Sequence, residues 1–223
     1  MRVTGKRLIH FLDKYGLDYE LAPGWNDPRN DPYKGQGALQ GIVLHHTAGI
    51  DSEAWVIARS AGYPYKPYRA CHDLSRRDGS QLIVAWPGAY HAGEGGPLEL
   101  TRTTPIPRNG GNSRLIGIEI ESLGTSARID GKREGMTLAQ VVETSMLCVA
   151  YLDAISPVPG VPYSTKRVIL HRTWTTRKID VRQDLDWWRH AIRIARHNRA
   201  KPAIARELVA DFARDEKSGR LAA

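Results

Sequence analysis

The sequence predicts an α/β fold: a single domain with a central mixed β-sheet flanked by helices, followed by a helical C-terminal tail. Three observations predict it. Two short apolar runs, GIVL at 41–44 and VIL at 168–170, read as buried strands, and each runs directly into histidine. A third run, LIGIEIES at 115–122, sets Ile116, Ile118 and Ile120 on one side and Gly117, Glu119 and Glu121 on the other. The full order is strand, helix, hairpin, strand, helix, strand, helix, which suits a mixed sheet carrying helices on its faces.

Each element has a local reason. Residues 4–15 form an amphipathic helix with Leu8, Ile9 and Leu12 as its apolar stripe, and Gly16 stops it. The stretch LAPGWNDPRNDPYKGQG is dense in Pro, Gly, Asn and Asp and reads as loop. Residues 51–60 read as a helix capped by Asp51 or Ser52, broken by 62–67. Arg77-Asp78-Gly79 marks a hairpin turn between two strands, the second at 81–85. Residues 93–112 read as a long Gly- and Pro-rich loop of the kind that carries function. Residues 137–155 give the clearest helix, with Thr137 and Gln140 as a capping box and Pro157 ending it. Helices follow at 185–199, anchored by Trp187 and Trp188, and at 201–219, where Leu208, Val209 and Phe212 face the domain or a partner. The expected organisation is an N-terminal helix and arm at 1–36, a catalytic domain at 37–190 and a basic helical tail at 191–223.

Composition narrows the function classes. The chain has 223 residues, 41% of them hydrophobic, which suits one domain. Lys6, Arg7 and His10 interrupt the first ten residues, so no signal peptide is indicated, and no stretch is expected to approach a membrane span. Two cysteines, Cys71 and Cys148, imply neither a disulfide framework nor a metal-binding spacing. The formal charge of +8 favours an anionic partner: nucleic acid, anionic lipid or an anionic wall polymer.

The two histidine-terminated strands suggest a metal site. If they are neighbours in one sheet, His45 and His171 emerge at the same edge, and Asp180 returns on the loop just after His171. Two imidazoles and one carboxylate leave a fourth position for water, the catalytic rather than the structural zinc pattern. Glu119 or Glu121 supplies a general base for such a site, and Lys178 a cation for developing negative charge. Other histidines have plainer roles. His46 is a packed neighbour of His45, His72 follows Cys71, and His190 and His197 lie on a basic helix.

Four segments carry a family resemblance in register: LHHTAG, YHAG, LIGIEIES and HRTWTTRKID. Over residues 41–188 the chain resembles the zinc N-acetylmuramoyl-L-alanine amidases of the type 2 amidase fold. That resemblance implies a Zn2+ cofactor held by His45, His171 and Asp180, with Glu119 as proton acceptor and Lys178 as oxyanion stabiliser. His91 matches a pocket histidine and is expected to contact glycan or peptide, with His46 beside it. Trp174, between His171 and Asp180, is expected to stack on sugar or cap the site. The chain departs from the pattern at Cys71, where a tyrosine is frequent, and at Val181-Arg182, where Pro-Gly is common.

The implied reaction is hydrolysis of the amide between the lactyl group of N-acetylmuramic acid and L-alanine. Peptidoglycan is the expected partner, with anionic wall polymers held by the basic surface. The motif order argues against a nuclease. The expected setting is a phage endolysin made in the cytoplasm of an infected bacterium and acting on the wall after release. Rival readings are a cytosolic muropeptide amidase, a non-cutting peptidoglycan-binding module and a cysteine hydrolase built on Cys71.

Overall fold

The computed structural model describes residues 3–30, 38–57, 69–100, 104–124, 126, 129, 134–157, 163–178, 180, 181 and 183–217. Strand β2 (Gly41–His46) lies between β5 (Leu115–Ile120) and β6 (Val168–Leu170), parallel to both. Strands β3 (Asp73–Ser75) and β4 (Gln81–Ile83) form the expected antiparallel hairpin, with Gly79 at φ +95° in its turn. Strand β1 (Tyr19–Leu21) adds to β4, and the six-stranded order is β1-β4-β3-β5-β2-β6. The sequence pattern had placed β1 in loop; its three residues are too few to show a period against the Pro- and Gly-rich run that follows.

Alternation along the three parallel strands splits their side chains between two layers. Ile42, Leu44, Ile116, Ile118, Ile120, Val168 and Leu170 join the main core. Helix α4 (Leu138–Ile155) packs in that core, and both hydrogen bonds of the Thr137–Gln140 capping box are present. By length and composition α4 could cross a membrane, contrary to expectation, but 83% of that stretch is buried inside the protein. It is the central core helix, apolar on nearly every side because strands and helices surround it.

Helices α1 (Gly5–Lys14), α6 (Leu185–Asn198) and α7 (Pro202–Lys217) enclose α4. Arg7 donates to the carbonyls of Asp153, Ala154 and Ser156, which satisfies the last turn of α4 and fixes α1 against it. Arg206 on α7 reaches Glu143 of α4 and the carbonyls of Tyr15 and Gly16. Val209 is fully buried, Phe212 stacks on His190, and Leu208 is exposed. Both ends of the described chain therefore share the core with the sheet.

The other layer of the sheet carries Val43, Leu115 and Ile169 in a smaller cluster with Ala92, Leu100, Ile106 and Trp174. It is roofed by residues 89–100 and 104–114, the latter ending in the short helix α3 (Gly111–Arg114). A one-turn helix, α5 (His171–Trp174), follows β6 where a loop was expected. The described part of helix α2 (Glu53–Ile57) is shorter than the predicted 51–60, whose last residues lie outside the described ones, as does the predicted break at 62–67.

Candidate metal centre and cleft

Parallel register assembles the site. Leu44 pairs with Leu170 and with Ile118, so the next residues, His45, His171 and Glu119, leave three adjacent strands at the same edge. His45 and Glu119 are register partners and stand side by side. Asp180 returns after α5, where its backbone carbonyl accepts from the Arg172 N–H at 3.0 Å.

Three ligand-type atoms converge. His171 Nδ1 lies 2.9 Å from His45 Nδ1 and 2.9 Å from Asp180 Oδ2, and His45 Nδ1 lies 3.7 Å from the same oxygen. A tetrahedral ion with bonds of about 2.0–2.1 Å holds its ligand atoms about 3.3 Å apart, which brackets the observed triangle. Lone pairs this close repel unless a proton or cation lies among them. Burial pushes the His45 pKa down to about 4, so its ring is neutral at neutral pH and able to bind a metal. Although burial alone raises the Asp180 carboxyl, the His171 and His45 ring nitrogens beside it outweigh that and hold it far below the usual range, so it is ionised. These three residues form the one potential metal-holding group among the described residues, and a borderline dication such as zinc matches the donors.

A cleft of about 640 Å³ opens over this cluster. Glu119 lines it, and its Oε2 is buried without a hydrogen-bond partner. Burial, reinforced by the Asp180 charge and opposed by Lys178, pushes the Glu119 pKa up to about 8. Lys178 and Arg177 also line the cleft; Arg177 pairs with Glu94 at 3.1 Å. Glu121, the other carboxylate of that strand face, accepts from the Ser52 N–H at 2.6 Å and is absent from the cleft lining.

The remaining sequence-derived residues fall into three groups. His46 lines the cleft, and its Nδ1 accepts from the Ala48 N–H at 3.0 Å. His91 lies behind His45, with Nδ1 3.1 Å from His45 Nε2 and Nε2 donating to the Leu115 carbonyl at 3.0 Å. It also lines the cleft, and both its nitrogens are engaged within the protein. Trp174 is a correction: it is 2% exposed, in the cluster under the roof segment, and a Cβ on Gly95, Gly96 or Gly111 would strike its indole. It supports the roof and does not face substrate. Besides Tyr90, the cleft lining includes Trp55 on α2, 55% exposed. Sequence reading passed over it because one tryptophan in a short helix has no pattern to mark it. Cys71 is fully buried, and burial raises its thiol well above the usual value, which removes the nucleophile that a cysteine hydrolase needs.

Two imidazoles and a carboxylate at a sheet edge, beside an unpartnered glutamate and under an open cleft, form a group that could hold one metal ion. The chain belongs to the N-acetylmuramoyl-L-alanine amidase family, whose model matches residues 35–183. No curated protein sequence matches it. Among solved structures it is similar to the crystal structure of AmpDh3 from Pseudomonas aeruginosa. That likeness has 20% identity and a TM-score of 0.44, and covers 67% of this chain and 56% of that one. The chain thus spans little more than half the length of that protein.

Proposed function

We propose that this protein hydrolyses the amide bond between the lactyl group of N-acetylmuramic acid and L-alanine in peptidoglycan, with a zinc ion held by His45, His171 and Asp180. The observation that carries this reading is the convergence of those three ligand atoms beneath the partnerless Glu119 carboxylate, in a chain of this family. Zinc bound there supplies Lewis acidity toward the amide carbonyl and lowers the pKa of water in the site. Glu119 accepts the proton of the attacking water and returns it to the leaving amine nitrogen as the C–N bond breaks. Glu119 would be ionised with the site loaded, because a bound dication would offset the effects that raise its pKa. Lys178 donates to the oxygen that gains negative charge as the carbonyl becomes tetrahedral. Trp55 offers its indole face to the sugar, and His46 borders the same cleft.

The setting we propose is that of a phage endolysin, acting on the wall after release from an infected cell. The +8 charge supports it, since anionic wall polymers attract such a surface. A cytosolic muropeptide amidase would use the same site on soluble fragments. Intact sacculi and purified soluble muropeptides, supplied at equal amide concentration, separate the two settings by the preferred substrate.

The decisive experiment follows loss of turbidity of purified cell walls, with mass spectrometry of the products. Wild type is expected to release stem peptides with a new L-alanine amino terminus. A strong chelator, or His171→Ala, is expected to reduce release to background. Full activity under either condition would overturn the zinc amidase reading, and lysis without new L-alanine termini would reassign the bond. Binding to walls without any cleavage would return the chain to the binding-module reading.

A further inference from the structure

One short segment contacts both histidine ligands from behind. The Leu115 carbonyl beside His91 Nε2 can only accept, so His91 carries its proton there and its Nδ1 is a lone pair. That lone pair faces His45 Nε2 at 3.1 Å, so the proton of neutral His45 is on Nε2 and its Nδ1 lone pair points into the triangle with His171 and Asp180. The next residue repeats the logic. The Ala92 carbonyl lies 3.4 Å from His171 Nε2, again only an acceptor, and leaves His171 Nδ1 for the same cluster. The segment is itself pinned: the buried Asn112 Oδ1 accepts from the His91 N–H at 2.8 Å and the Ala92 N–H at 2.6 Å. Gly117, under the His91 ring, completes the seat, because a Cβ there would collide with the imidazole.

We propose that His91 is a positioning residue of the metal site, fixing the tautomer and ring rotation of His45, and that Asn112 holds the His91–Ala92 backbone so that both histidines present Nδ1 to one ion. Metal-ligating histidines depend on such outer partners, and changing one costs about 10–100-fold in metal affinity or activity. The inference rests on the metal-site reading above, and it makes His91 a supporter of His45 instead of the substrate contact the sequence suggested.

The test needs no substrate. Metal-free full-length protein is titrated with Zn2+ against a competing chromophoric chelator, and with Co2+, whose visible absorption reports ligand geometry. His91→Leu is expected to weaken zinc about 10–100-fold and to change the cobalt spectrum. His91→Asn, whose side-chain oxygen can accept from His45 in place of Nδ1, is expected to recover most of the affinity. Asn112→Ala is expected to weaken zinc in the same direction as His91→Leu. Melting of the metal-free proteins controls for folding. If the leucine variant does not fold, long-range 1H–15N spectra of zinc-loaded wild type still decide, since protons are expected on Nε2 of both His45 and His91. Wild-type affinity and spectrum in His91→Leu, or a proton on His91 Nδ1, would overturn the inference and leave the metal site standing. A wild-type chain that binds neither metal overturns both.

Discussion

On the helical side of the sheet the buried carboxylate of Asp153 meets the Tyr15 hydroxyl and lies 3.5 Å from Arg199; on the cleft side Glu119 Oε2 meets no hydrogen-bond partner among the described residues. The first carboxylate, on α4, is met by Tyr15 and Arg199, the C-cap residues of α1 and α6. The second stands at a strand edge, open to a cleft, with Asp180 and Lys178 as its charged neighbours. A buried polar atom without a partner costs on the order of 1–3 kcal/mol, so a fold that satisfies one carboxylate and leaves the other bare maintains the second at a cost. Asp73 shows that a missing partner alone is not enough. Its Oδ1 is also unpartnered among the described residues, but burial raises its pKa well above the usual range, and it is fully buried and absent from the cleft lining. The functional mark is the combination of a bare carboxylate, an open cleft and converging ligand atoms.

The sharpest way to break this comparison is Glu119→Gln. If Glu119 moves the proton, the amide keeps the shape and loses the function, and kcat is expected to fall about 10²–10⁴-fold. Bound zinc, measured by elemental analysis, is expected to stay at the wild-type level because Glu119 lies outside the ligand triangle. A fall of less than threefold would place the bare carboxylate outside the chemistry. Tyr15→Phe probes the other side. It removes one bond from Asp153 and is expected to cost about 1–3 kcal/mol of stability in denaturant unfolding, with kcat unchanged. A change in kcat at unchanged stability would mean that the two regions are coupled and not separate. Trp55→Ala is smaller again. Loss of an exposed aromatic platform worth roughly 0.5–1.5 kcal/mol raises KM by up to about tenfold and leaves the melting temperature in place. Trp174→Ala is expected to do the reverse, lowering stability by about 3–5 kcal/mol through the cavity it leaves in the roof cluster.

These assignments were legible in the sequence to unequal degrees. His45 and His171 could be placed because each follows an unbroken apolar run, and Glu119 because its strand alternates; parallel register then makes the three neighbours. Helix α4 was legible from its cap and length. Strand alternation alone did not divide Glu119 from Glu121, which share a face; the family resemblance chose Glu119, and in the structure Glu119 lines the cleft while Glu121 accepts from the Ser52 N–H. Trp174 was misjudged for a related reason. Its position between two ligands suggested the cleft, while the glycines that make room for its indole lie about 60–80 residues earlier in the chain. The support from Asn112 was invisible, since an asparagine in a Gly-rich stretch reads as turn chemistry. Long-range contacts made by one side chain leave no period in a sequence.

The smallest expected effect concerns pH and the metal-free protein. Glu119 titrates near 8 in the fold, above the value of about 4.5 from which burial raises it. Between those values the folded chain holds a proton that the unfolded chain has released, so the Glu119 contribution to stability is present in acid and lost as pH rises through about 8. His45 works in the opposite sense at lower pH, since its depressed folded value favours the fold only once the unfolded imidazole has lost its proton, above about 6.5. The clean measurement is therefore a difference. Metal-free wild type and Glu119→Gln are unfolded in denaturant from pH 6.5 to 9. The variant is expected to gain stability relative to wild type across that range, with the gap widening most steeply from pH 6.5 to about 7.5 and levelling off above about 8. Zinc should reduce the gap, because a bound dication favours the ionised carboxylate. A gap that is flat with pH would mean that water reaches Glu119 freely in the metal-free protein, and the contrast with Asp153 would then reduce to one of hydrogen-bond partners alone.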